Sequence, residues 1–562
     1  MKFQSIILIL VGLLLATSYA SDISFKTNIN CLSGCSFSEA GNWVGGVVPG
    51  ANDNAIIDMS TSGFATTLVL VTDALNVNQL TVIRNNGKTL YVAITAPGKL
   101  DNLVIDGTAT VDIGDGLAVI IGNSLSVGAG SIFSIGVNSA IVVANATFAA
   151  SQSTITLADG GLLSTEGNAI LNGQIAANPT SNLEFSQNVT VWGSITAGAF
   201  NFAGSALVTY PGSVKATSML PNGNLTIQGG ASVTTSAMLC DATVFVISGS
   251  ALNIDGDSDS NTVIDNVFTD STSNVYISSG QYTSIRNVES YGNITVDGGS
   301  AALTNGFIAN LRLYLNAGVA QPDITIQNTQ VGVVVCEAAS YVYLICVDYC
   351  EITEIQQADN LQVVTSPGGV LNFTKSFVSL GSGSRIIASS KSVVIFNNTY
   401  VETNAIYVDT DSQVYIQNSN INGSFLIDHS TITVYGQSSV NYIELTASVL
   451  NVAQGVLTIT TDLLAFQGST INVLLQSLIT DPRYTPIKVN VDISISQSNV
   501  VVHSSAKTVA PGILYYVMVT PKYIDVPFTN CTFSPVPSSL TAPNFSETLY
   551  NGFIYLIFAF QN

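Results

Sequence analysis

Two histidines, seven cysteines and 36 acidic residues are the main chemical resources of this 562-residue chain. Ile427-Asp428-His429-Ser430 sets an acid beside a base, the start of a proton relay. Neighbouring side chains on a strand point to opposite faces, however, so the pair reads as an exposed turn. Alternate carboxylates in Asp255-Gly256-Asp257-Ser258-Asp259-Ser260-Asn261, with Asp265 nearby, could hold calcium through oxygen ligands. The spacing begins like an EF-hand, but Ser260 stands where glycine belongs and Asn266 where the closing glutamate belongs. A solvated loop is the better reading. Glycosidases need two carboxylates about 5–10 Å apart across a cleft. Glu351 with Glu354, or Asp101 with Asp106, qualify only by being acidic. Gly381-Ser382-Gly383-Ser384 approaches a nucleophile elbow but lacks the closing glycine. No catalytic, cofactor-binding or metal-ligating residue is assigned.

Cys31 and Cys35 flank Leu-Ser-Gly, a loop short and flexible enough to close, and a disulfide is expected there. Cys346 and Cys350 cannot pair along a straight strand, where four residues span about 13 Å against the roughly 6 Å a bridge allows. They must find Cys336, Cys240 or each other across a bend. Zinc is the rival reading, yet the cysteines form no paired Cys-x-x-Cys sets.

Location is legible from independent signals. Lys2, the apolar run Ile6 to Ala16 and the small residues Ser18 and Ala20 make residues 1–20 a signal peptide cleaved after Ala20. N-glycosylation sequons stand at Asn145, Asn188, Asn224, Asn293, Asn372, Asn397, Asn422, Asn530 and Asn544. Charged residues are 9% of the chain, with 15 basic against 36 acidic and a net charge of -21. That balance excludes a general nucleic-acid binder and disfavours anionic membrane surfaces. The apolar run Phe553 to Phe560 is far too short to span a bilayer, so no transmembrane segment is expected in the mature chain. The expected location is secreted or extracellular, with surface association through partners.

What must position any site is a repeat. The chain exceeds the size at which an ordinary core stops growing, yet no linker interrupts residues 60 to 500. Leu125-Ser126-Val127-Gly128-Ala129 alternates as a half-buried strand does, while Val119-Ile120-Ile121 and Ile141-Val142-Val143 are β-branched. Ser153-Thr154-Ile155-Thr156-Leu157 recurs as Ser430-Thr431-Ile432-Thr433-Val434 and as Ser469-Thr470-Ile471-Asn472-Val473. Each copy reads as a turn residue followed by a strand, with Ser and Asn able to ladder one coil away. The expected fold is all-β: one long parallel β-solenoid, residues 61–504. An N-terminal cap is expected over 21–60, and a C-terminal β cap over 505–562. Tyr550-Asn551-Gly552-Phe553 reads as a two-residue hairpin within the latter. The rival architecture is a set of antiparallel sandwich domains.

Gly41-Asn42-Trp43-Val44-Gly45-Gly46-Val47-Val48-Pro49-Gly50-Ala51-Asn52-Asp53-Asn54-Ala55-Ile56-Ile57 resembles the Asn-Trp…Pro-Gly…Asp-x-Ala-x-Ile opening of secreted pectin lyase-like and adhesin-type β-helix proteins. The match covers residues 41–57; the rest shares only texture. The resemblance implies a right-handed parallel β-helix, with Trp43 covering the first coil, Pro49-Gly50 turning the chain and Ala55 to Ile57 beginning a strand. Pectin hydrolases of this fold use aspartates with Gly-His-Gly and Arg-x-Lys segments, and neither segment occurs here. In the pectate lyase Trp-Ile-Asp-His strand, the tryptophan position is Leu426 in this chain. The expectation is therefore a non-catalytic binding, adhesion or matrix role, with extracellular glycans or surface proteins as partners. Tyr276, Tyr343 and Tyr415 are candidates for stacking on sugars. The alternative is a polysaccharide lyase or glycoside hydrolase working through acids alone.

Overall fold

The computed structural model describes residues 20–85, 87–255, 261–278, 282–315, 323–381, 383–505, 510–536 and 540–561. Residues 1–19, residues 256–260 of the acidic segment and Ser382 lie outside these. The fold is all-β, 66% strand and 2% helix, a parallel β-solenoid of about 19 turns. Two compact units are distinguished, unit 1 to Asn274 and unit 2 from Val275.

Unit 1 starts at a capped end. Trp43 is wholly buried, with edge contacts to Phe25 at 5.0 Å and Phe37 at 4.9 Å. Its indole N–H donates to the Phe37 carbonyl at 2.7 Å, so the ring buries no unpaired donor. Asp53 turns the chain at Gly50, its carboxylate accepting the Gly50 amide at 2.9 Å. The strand Asn54–Asp58 then pairs in parallel with Leu75–Arg84 and buries Ala55 and Ile57. Cys31 and Cys35 form the expected disulfide, Cα atoms 5.1 Å apart. Gly34 at φ +94° lets that loop close, and a Cβ there would stand 2.7 Å from Leu70.

Each coil repeats one rule. Inward residues such as Leu125, Val127, Ile141 and Val143 are fully buried, while Ser126 and Val142 between them face outward. Corners use left-handed residues, which are glycines and, among the rest, mostly Asn, Gln and Asp. The serines of the repeated segments are the buried residues of such corners: Ser153, Ser430 and Ser469 are each at most 5% exposed. Ser153 and Ser469 donate to the Ala150 and Phe466 carbonyls at 2.6 Å. In unit 2 they form a ladder, the Ser412, Ser430 and Ser448 amides donating to the hydroxyls of Ser430, Ser448 and Ser469 at 3.0–3.1 Å. Asn145, Asn123 and Asn102 make an amide ladder in unit 1.

Unit 2 carries the second bridge, Cys346–Cys350, with Cα atoms 5.9 Å apart. Asp348 between them, at φ +57°, supplies the bend that brings them together. Cys240, Cys336 and Cys531 are buried and unpaired. Unit 2 ends in a hairpin: Asn544–Tyr550 pairs antiparallel with Phe553–Ala559 across left-handed Asn551 and Gly552. Phe558 lies 5.2–5.8 Å from Tyr515, Phe533, Phe545 and Phe560, closing the core with rings.

Candidate functional site

Outward residues of stacked strands stand in columns, and one set in unit 2 forms an open groove of about 440 Å³. The strands Arg385–Ala388, Tyr400–Val408, Asn420–Asp428 and Thr431–Thr446 set Ile387, Tyr407, Leu426 and Glu444 in register. Arg385, Asp409 and Asp428 also line it. The Arg385 guanidinium lies over the rings of Tyr407 at 5.5 Å and Tyr341 at 5.9 Å, an aromatic clamp on a delocalised cation. Glu444 accepts the Tyr442 hydroxyl at 2.8 Å, and burial and that contact push the phenol well above its ordinary value. The groove is amphipathic, with acids, an aromatic and a cation on one rigid surface.

The Asp428–His429 pair needs a correction. The two side chains do not point to opposite faces: His429 is left-handed at φ +46°, which swings its Nδ1 to 2.7 Å from Asp428 Oδ1. The turn is exposed as expected, both side chains being more than half accessible. Asp428 faces the groove and His429 is not among its lining residues.

Other candidate acids are not brought together. Glu351 accepts from Gln330 and Tyr349, whereas Glu354 accepts from Gln356. Asp106 caps the Gly107 amide at 2.8 Å, and Asp101 is exposed five residues away on the same strand. Asp257 and Asp259 lie outside the described residues. Among the described residues no group of three or more His, Cys, Asp or Glu could hold a metal ion. Tyr276 donates to Asp297 and Tyr415 to Gln413, and both, with Tyr343, are half-buried.

The sequons differ between units. Asn145, Asn188 and Asn224 are exposed and each immediately precedes a strand: Ala146–Ala149, Val189–Val191 and Leu225–Gln228. These strands occupy alternate places in one stack, with Ala169–Leu171 and Ala206–Thr209 between them. Asn188 and Asn224 therefore share one column, two coils or about 10 Å apart, and Asn145 lies at the same corner one residue earlier in register. The Oδ1 atoms of Asn188 and Asn224 accept the Ser205 and Thr243 amides at 3.0 and 3.2 Å, which orients each side chain. In unit 2, Asn372 and Asn530 use their side-chain N–H groups on Tyr349 and the Ser498 carbonyl. Asn293 and Asn397 are half-buried, and Asn422 and Asn544 are exposed.

Sequence reasoning missed the groove and also Arg84, a fully buried cation donating to the Met59 and Phe64 carbonyls near the first coils. The chain matches no family model and no curated protein. Among the described residues no helix is long and apolar enough to cross a membrane.

Proposed function

We propose that the chain is a secreted N-glycoprotein of the pectin lyase-like or adhesin type of β-helix, with a non-catalytic binding role outside the cell. The observation that carries the reading is the unit 2 groove, where Arg385, Tyr407, Asp428 and Glu444 meet on a rigid open surface. An aromatic ring flanked by acids and a cation suits a sugar or a polar segment of a surface protein, giving apolar contact beside hydrogen-bonding groups. The groove is open to water, as a surface that binds without cleaving can be. The signal sequence and the aligned sequons support the location.

The test is a glycan array with the full-length secreted protein, followed by Tyr407→Ala and Glu444→Gln. Binding that weakens about tenfold in either variant supports the reading. No bound glycan or extracellular protein partner would remove it. N-terminal sequencing should begin at Ser21, and glycopeptide mapping should find Asn145, Asn188 and Asn224 occupied.

One observation favours a second reading: Asp409, Asp428 and Glu444 line the same groove, as an acid-only lyase or hydrolase requires. Turnover of any acidic or neutral polysaccharide, abolished by Glu444→Gln, would replace the binding reading with this one.

A further inference from the structure

A second groove lies in unit 1, of about 360 Å³, and its side chains differ in kind from those described above. The chain has two tryptophans. Trp43 is fully buried in the cap, but Trp192 is 43% exposed at the lip of this groove. Strand register sets Thr154, Gln174 and Ser194 on successive coils. Two residues earlier in each coil, the corner carries Gln152, Asn172 and Trp192. Between these two columns Gly173 and Gly193 stack so closely that a Cβ on Gly193 would collide with the Gly173 carbonyl oxygen. The floor is bare backbone, and the walls are amides and an indole.

Among the described residues, the side-chain amides of Gln152, Asn172 and Gln174 and the Trp192 indole N–H have no hydrogen-bond partner within the chain. Elsewhere some outward side chains do bond the same position one rung away, as Asn145 does with Asn123. No ionisable residue lines the groove. A charged ligand would lose hydration without a counter-charge, which is costly. A saccharide fits: its C–H face packs on the indole, and each hydroxyl, being donor and acceptor, matches a primary amide. Three coils span about 10 Å between outer rungs, enough for a short oligosaccharide.

We propose that the Trp192 groove of unit 1 binds a neutral oligosaccharide. The assignment deepens the extracellular glycan-binding reading by naming a ligand class, but rests on its own residues and stands whether or not the unit 2 groove binds. The sugar has two sources. One is an external glycan; the other is the chain's own glycan on Asn188, four residues before Trp192 and about 13 Å along the strand direction.

Because Trp43 is buried, added sugar should alter tryptophan fluorescence through Trp192. The full-length secreted protein is titrated with cellotriose, mannotriose and chitotriose in three forms: glycosylated, enzymatically deglycosylated and Asn188→Gln. A saturable change in the glycosylated form assigns an external ligand. A change that emerges only after deglycosylation or in Asn188→Gln assigns the chain's own glycan as occupant. By calorimetry, Trp192→Ala should weaken binding about tenfold or more, and Gln174→Ala by less. Absence of a saturable change with all three sugars in all three forms overturns the proposal. So does binding that survives both Trp192→Ala and Gln174→Ala but is lost in Tyr407→Ala; that outcome places the sugar in unit 2 and leaves the broader reading standing.

Discussion

Unit 1 and unit 2 are built from the same rung, yet their grooves hold polar groups in opposite ways. In unit 2, Arg385 lies over two tyrosines, Glu444 is bonded to Tyr442, and Asp428 is paired with His429. In unit 1, the amides beside Trp192 have no hydrogen-bond partner among the described residues. Stacking can offer an outward polar group a partner at the same position one coil away, about 4.8 Å off. Beside an exposed indole, amides without such a partner can meet the hydroxyls of a ligand.

Common construction is tested first, by the largest effect. Phe200 in unit 1 and Phe396 in unit 2 are both fully buried, the first tilted against Phe185 at 5.7 Å and the second stacked on Phe373 at 5.4 Å. Phe200→Ala and Phe396→Ala should each cost about 3–5 kcal/mol in denaturant unfolding, from lost burial and the cavity left behind. A gap between them well above 2 kcal/mol would break the claim of a common construction.

The thiols divide the units next. Burial pushes Cys336 and Cys531 in unit 2 up to about 12, and raises Cys240 in unit 1. A thiol with a raised folded value is protonated in both states below 9.0, where its contribution to stability is complete. As pH rises from 9.0 towards about 12 the unfolded chain releases the proton first, so stability falls. Unit 2, with two such groups, should lose more than unit 1. Iodoacetamide at pH 8 should leave all three unlabelled in the folded protein and label three cysteines after denaturation without reductant; labelling of Cys336 in the folded state would contradict this.

A smaller effect separates a ladder from a lone corner. Ser448→Ala leaves the buried Ser430 amide without its acceptor and should cost about 1–3 kcal/mol. Ser139 in unit 1 plays the same part alone, accepting the Leu117 amide, and should cost a similar amount. Ser430 and Ser448 share a network, so their double variant should depart from additivity by more than about 0.5 kcal/mol.

Much of this was readable before any coordinates. Trp43, the Cys31–Cys35 loop and Tyr550-Asn551-Gly552-Phe553 act through neighbours close in sequence, where residue type and spacing carry the geometry. The serine repeats marked real corners for the same reason. The grooves were not readable, because their residues meet only through stacking. Coil offsets vary, from 17 residues between Val189 and Ala206 to 34 between Cys35 and Val69, so no fixed period shows which side chains share a column. Asp428 and His429 were misread because one left-handed residue reverses the alternation a straight strand would impose.

The smallest stability effects discriminate most between the grooves. Gln174→Ala removes an exposed side chain with no partner in the chain, so unfolding should move by less than about 0.5 kcal/mol. Asp428→Asn weakens only an exposed side-chain contact with His429, for which about 0–1 kcal/mol is typical. Stability alone would call both positions idle. If Gln174 were merely surface, its removal would leave oligosaccharide affinity unchanged as well. If the uncommitted amides exist to meet hydroxyls, affinity should fall while the unfolding midpoint stays in place. Measuring both quantities on the one variant thus separates a polar surface from a binding site, which neither measurement does by itself.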